Sequence, residues 1–299
     1  MSVMRVALNA WLRWTEKPHL ARTQDAVRLR RTFEAKARFY FRAPWGAQFE
    51  PSTLNGVPVL HVNSSMSGPI ILYVHGGAFI MGSPRTHRAM MARLSRDAGV
   101  PACLVKYRLA PEHTHPAALE DVLTCYRALM DQPGGVILGG DSAGGALVLA
   151  ALAEILRQDL PRPRGVFAFS PITDLTLSGD SVTRNAEADA ILPAARAQET
   201  LTRYLNGADA RDPTASPLFA EFIGSGPVWL CAGDTEILLD DTRRMADHLR
   251  AQGVEVTEII AQDLPHVWPL FHNLLPEGRA TLRDLAGWIN SLSQTTTDS

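Results

Sequence analysis

The sequence predicts an α/β protein, with a mostly parallel sheet covered by helices on both faces. Three observations carry this. Short apolar runs alternate with helix-like segments from about residue 47 onward. The chain has 299 residues, 46% hydrophobic and 20% charged, an ordinary composition for one large globular domain. Near the middle, an apolar strand-like run, Val136–Leu138, leads through glycines into an Ala- and Leu-rich stretch that reads as a buried helix, Ala146–Leu156.

Taken in order, residues 1–46 stand apart. They are rich in arginine, and aromatics recur at Trp11, Trp14, Phe33, Phe39, Tyr40, Phe41 and Trp45. Val27, Leu29, Phe33 and Ala37 fall near helical spacing, so one or two amphipathic helices are expected outside the sheet. Strands are expected at Val57–Val62, Ile70–Val74, Ala102–Tyr107, Val166–Phe169, Val228–Cys231 and Val254–Ile260. Helices are expected at Arg85–Ala98, Pro116–Met130, Asp240–Gln252 and Pro276–Leu292. Proline opens the second of these helices and Gly253 ends the third. Residues 175–225 interrupt the alternation with a polar loop, a helix near Ala194–Leu205 and a proline-containing stretch, and read as an insertion. Residues 295–299 read as a frayed tail. The main domain is expected over 47–294.

A net charge of −2 leaves no basic footprint for nucleic acid. No apolar run is long enough to span a membrane. The first residues lack the h-region and cleavage site of a signal peptide. Cys103, Cys125 and Cys231 are odd in number and lie in apolar surroundings, which suggests reduced thiols and a cytoplasmic location. HExxH, CxxC pairs, GxGxxG and GxxxxGK[ST] are all absent, so no metal or organic cofactor is expected.

The chemistry is expected at Gly140-Asp141-Ser142-Ala143-Gly144, a G-x-S-x-G match between a strand and a helix. A serine at such a turn exposes its hydroxyl above the sheet, and the positive end of the following helix favours negative charge there. Upstream, strand 70–74 runs into His75-Gly76-Gly77-Ala78-Phe79. Amides of Gly76 and Gly77, with that of Ala143, are the expected oxyanion donors. Of nine histidines, His266 follows the last strand, where the order serine, acid, histidine requires a base. His272 is its near neighbour and the fallback. His75 is expected to order the glycine loop. The acid should lie after strand 228–231, where Asp234 and Glu236 both qualify. Asp240 and Asp241 more naturally open the next helix.

These stretches together resemble the hormone-sensitive-lipase-like family of α/β-hydrolases, the bacterial family IV carboxylesterases. The matching segments are HGGAF at 75–79, YRLAPEH at 107–113, GDSAGG at 140–145, SPITDL at 170–175, ASPLF at 215–219, residues 234–241, and PHVW at 265–268. The resemblance implies an α/β-hydrolase fold, with residues 1–46 as a helical cap and 175–225 as a second cap element. It implies Ser142 as nucleophile and His266 as base. It places the acid at Glu236, two residues before Leu238 and four before Asp240, with Asp234 as the rival. Most members carry Asp at that position, and most carry a third glycine where this chain has Ala78. Asp141, Tyr107, Arg108 and Glu112 are expected to buttress the oxyanion loop. The implied activity is hydrolysis of short- to medium-chain acyl esters of small molecules, and the implied assembly a homodimer pairing edge strands. A lactone, amide or thioester hydrolase shares this chemistry. A ligand-binding protein without turnover, as in the plant gibberellin receptors that share the fold, is the reading from another class.

Overall fold

Alternation along each strand sends neighbouring side chains to opposite faces of the sheet, and this organises the core. In the computed structural model, which describes residues 2–294, the strands are β1 (Phe49–Leu54), β2 (Val57–Val62), β3 (Ile70–Val74), β4 (Ala102–Val105), β5 (Val136–Asp141), β6 (Gly165–Phe169), β7 (Val228–Gly233) and β8 (Val256–Ala261). The helices are α1 (Val3–Arg22), α2 (Ala26–Tyr40), α3 (Pro84–Ala98), α4 (Ala117–Leu129), α5 (Ala143–Arg157), α6 (Ser181–Arg184), α7 (Ala194–Leu205), α8 (Leu239–Ala251) and α9 (Pro276–Gln294). The tail expected at 295–299 lies outside the described residues.

The strands form one sheet in the order β1-β2-β4-β3-β5-β6-β7-β8. β2 pairs antiparallel with β1 and β4, and the remaining pairs are parallel. Leu72 and Val74 pack with Val122 of α4 and Leu147 of α5. Ile71 and Tyr73 point the other way, into a second core with Met90 of α3 and Leu285 of α9. Sequence reading missed β1. Its residues, FEPSTL, are largely exposed and contain Pro51, which an edge strand tolerates. The available signal was Asn55-Gly56, both at positive φ, the pair that closes a two-residue hairpin. Expected strand 102–107 ends at Val105, because Tyr107 leaves the sheet to donate from its hydroxyl to the His75 carbonyl.

The two N-terminal helices form a cap docked through side chains of α1 and α2. Arg5 donates to the Gln262 carbonyl, Asn9 to Asp263, Arg13 to the Ala188 carbonyl and Lys17 to those of Ala186 and Asp189. Arg30 reaches the carbonyls of Ile80 and Ala110, beside the glycine loop, and pairs with Glu112. Leu29 and Ala37 are buried as their spacing predicts, whereas Val27 faces out. No described helix is long and apolar enough to cross a membrane.

Candidate active site

Ser142 owes its position to the glycines on either side. It adopts φ 52° and ψ −119° between β5 and α5. That sharp turn presses backbone against backbone. A Cβ on Gly144 would lie 2.0 Å from the Val74 carbonyl oxygen, and one on Gly140 would lie 2.4 Å from that of Gly144. Neither neighbour is a side chain that could swing away. Gly144→Ala is therefore expected to cost about 3 kcal/mol through overpacking, read as a lower denaturation midpoint and reduced soluble yield. The Ser142 side chain caps no helix amide, so its hydroxyl is not committed to the turn.

His266 lies beyond β8, and its Nδ1 donates to Glu236 Oε2 over 2.6 Å. Glu236 is almost fully buried, and its other oxygen accepts from Ser170 Oγ at 2.8 Å and the Gly233 amide at 2.5 Å. Ser170 also accepts from the Val267 amide, so one hydroxyl ties the acid to the residue after His266. Ser170 escaped the sequence reading, although it opens the SPITDL segment. Asp234 turns elsewhere and accepts from the Asp263 amide at 2.6 Å. Asp240 and Asp241 sit in the first turn of α8, and they bind the amides of Ser181 and of Thr173 and Asp174. Of the four competing carboxylates, Glu236 meets the histidine.

Burial of the His266 ring works against its charged form. The carboxylates of Glu236, Asp189 and Asp141 outweigh that and hold its pKa above the ordinary 6.5. His272, the fallback base, is buried at the end of the turn Trp268–Phe271. Burial and Arg93 push its pKa down to about 4. His75 is pushed to about 3, chiefly by burial, and its neutral ring bonds the Gly76 carbonyl and stacks on Tyr107.

The glycine loop departs from expectation at one residue. The Gly76 amide donates to Asp141 Oδ1 at 2.9 Å, which takes it out of the oxyanion donor set. Asp141 also accepts from Tyr73 at 2.6 Å and lies 3.3 Å from His87 Nε2. Burial alone would raise the Asp141 pKa, but these partners bring it below the ordinary carboxylate value. Asp141 and Tyr107 thus brace the loop as expected. Arg108 instead pairs with Asp121 and Glu120 of α4, and Glu112 with the cap. The amides of Gly77, Ala78 and Ala143 form no hydrogen bond among the described residues. Ala78 holds φ 53°, a left-handed conformation that its missing glycine would adopt more readily.

Ser142, Gly77 and His266 line a cavity of about 410 Å³, walled by Trp11, Phe33 and Phe271 under the cap. A second cavity, of about 110 Å³, also reaches Ser142 and is lined by Ile172, Leu192, Leu201 and Ile237.

A strand-turn-helix serine that lines one cavity with the histidine of a buried histidine–carboxylate pair fits an α/β-hydrolase, and the chain belongs to the α/β hydrolase fold family, whose pattern it matches over residues 71–270. It is 37% identical over 223 residues to the acetyl-hydrolase of Streptomyces hygroscopicus, covering 74% of each chain. It is 34% identical over 250 residues to an esterase of Acinetobacter venetianus, covering 82% of each. Its structure is similar to that of EstE5 soaked with p-nitrophenyl butyrate, with a TM-score of 0.92, 37% identity and coverage of 98% of this chain and 99% of that one. It is likewise similar to an esterase from the bacterial hormone-sensitive lipase family, with a TM-score of 0.91 at 32% identity over 98% and 99%.

Proposed function

We propose that Ser142, His266 and Glu236 form the catalytic triad of this chain. The chain is a carboxylesterase, a serine hydrolase acting on esters of small molecules. His266 takes the Ser142 proton as the hydroxyl oxygen attacks the ester carbonyl. Glu236 holds the imidazole tautomer and stabilises its charged form. The oxyanion is held by amides of Gly77, Ala78 and Ala143. Collapse expels the alcohol with the proton from His266, and the acyl-enzyme is then cleaved by water that His266 activates. The observation that carries this reading is the 2.6 Å bond between buried His266 and Glu236, in a cavity that Ser142 also lines. The same pair counts against binding without turnover, since a receptor has no use for an oriented base. Residues 175–225 complete the cap, since Leu192 and Leu201 close the smaller cavity. The three free, buried cysteines support a cytoplasmic location, and the open edge of β8 suits a homodimer.

A fluorophosphonate tests the assignment. It should modify Ser142, located by peptide mass spectrometry, and abolish hydrolysis of p-nitrophenyl butyrate in proportion. Labelling elsewhere, or full labelling with activity retained, would sink it. EstE5, which this chain resembles at a TM-score of 0.91, is also known as a complex with the serine reagent PMSF.

The pH profile follows from the neutral imidazole that the first step needs. Because the carboxylates around His266 raise its pKa, kcat/KM should fall on the acid side through an apparent value above 6.5. Glu236→Gln removes one of those charges and should move that limb to lower pH. A limb below 6.5 in the unaltered enzyme would contradict the assignment.

A further inference from the structure

Ser142 stands where two cavities of unequal size meet. The larger measures about 410 Å³ and the smaller about 110 Å³. Leu20, Leu29, Ala78, Met81 and Leu192 face both, so the two spaces are branches from one reaction centre. His266 lines the larger branch and not the smaller. This asymmetry decides which half of an ester goes where, provided the Ser142–His266 reading holds. When the tetrahedral intermediate collapses, the bond from carbon to the alcohol oxygen breaks, and that oxygen leaves with the proton carried by the imidazole. The ring must reach the leaving oxygen, so the alcohol lies on the His266 side. The acyl carbon keeps its bond to Ser142 Oγ, and its remaining substituent takes the other branch.

We infer that this enzyme prefers esters that join a short acyl group to a bulky, largely apolar alcohol. Cavities that take a drug-sized molecule run to about 300–1,000 Å³. The His266 branch falls in that range and the acyl branch well below it. The walls agree with the alcohol's character. Trp11, Phe33, Phe271 and Leu274 face the large branch, and the charged pair at its edge, Lys36 and Glu16, is closed on itself at 2.6 Å. On the acyl side, Ile172, Ile237, Leu238 and Leu201 crowd the space beside the Ala78 methyl.

An isomeric pair separates branch size from total hydrophobicity. 2-Phenylethyl acetate carries its ring on the alcohol, and ethyl phenylacetate carries it on the acid. Both leave a primary alkoxide. With the full-length enzyme in a pH-stat, kcat/KM for the acetate should exceed that for its isomer by at least about tenfold, the scale on which pockets discriminate by size. Two variants should narrow the ratio from opposite sides. Leu201→Ala opens the acyl branch and should raise turnover of ethyl phenylacetate. Thr32→Trp, at a half-buried position on α2, fills the alcohol branch and should lower that of 2-phenylethyl acetate. Equal rates, a preference for ethyl phenylacetate, or a ratio unmoved by Thr32→Trp would overturn the inference while leaving the triad standing. Turnover that survives Ser142→Ala would instead remove the triad, and this inference with it.

Discussion

Ser142→Ala is expected to lower kcat for p-nitrophenyl butyrate by about a millionfold, since loss of a triad nucleophile costs on that scale. The protein should remain folded. The contacts that Ser142 makes within the turn are those of its backbone, donating to the Phe169 carbonyl and accepting from Ala146 and Ile172, and alanine keeps all three. Alanine also meets the same positive φ as serine, so no new strain enters. Thermal unfolding should therefore match the parent to within about 0.5 kcal/mol. Substantial residual turnover in a folded, uncontaminated variant would mean that another group attacks the ester.

Glu236→Gln should cost about ten-thousandfold in kcat, the penalty for an imidazole held in the wrong tautomer. Glutamine fits the same space and can still accept from Ser170 and Gly233 through one oxygen. Its amide nitrogen would then face His266 Nδ1, where a donor is wrong for a ring that must carry its own proton there. Asp234→Asn is the matched control. Its side chain keeps an oxygen for the Asp263 amide, and it makes no contact with His266, so activity should stay near that of the parent. Loss in the Asp234 variant alone would reverse the assignment of the acid.

Most of the sheet and the chain positions of Ser142 and His266 were legible in the sequence, because they rest on local signals. Buried parallel strands are continuous apolar runs, and an elbow between strand and helix is spelled by its glycines. The edge strand β1 was not legible as a run, since an exposed strand has no apolar pattern to show and only its Asn-Gly turn marked it. The choice between Asp234 and Glu236 was closed to spacing alone. Both carboxylates belong to one loop, and what separates them is which way each side chain turns once Ser170, 64 or more residues upstream, is in place. Gly76 misled for a related reason. A glycine pair at a strand end advertises open amides, but the competition of Asp141 for one of them exists only after β3 and β5 lie side by side.

The way α1 is fastened has an evolutionary corollary. Arg5, Arg13 and Lys17 grip carbonyl oxygens of the peptide chain beneath them, and every residue type supplies such an oxygen. Mutations at 186, 188 or 262 can therefore accumulate without breaking these bonds, and the side chains beneath α1 are free to diversify on a constant anchorage.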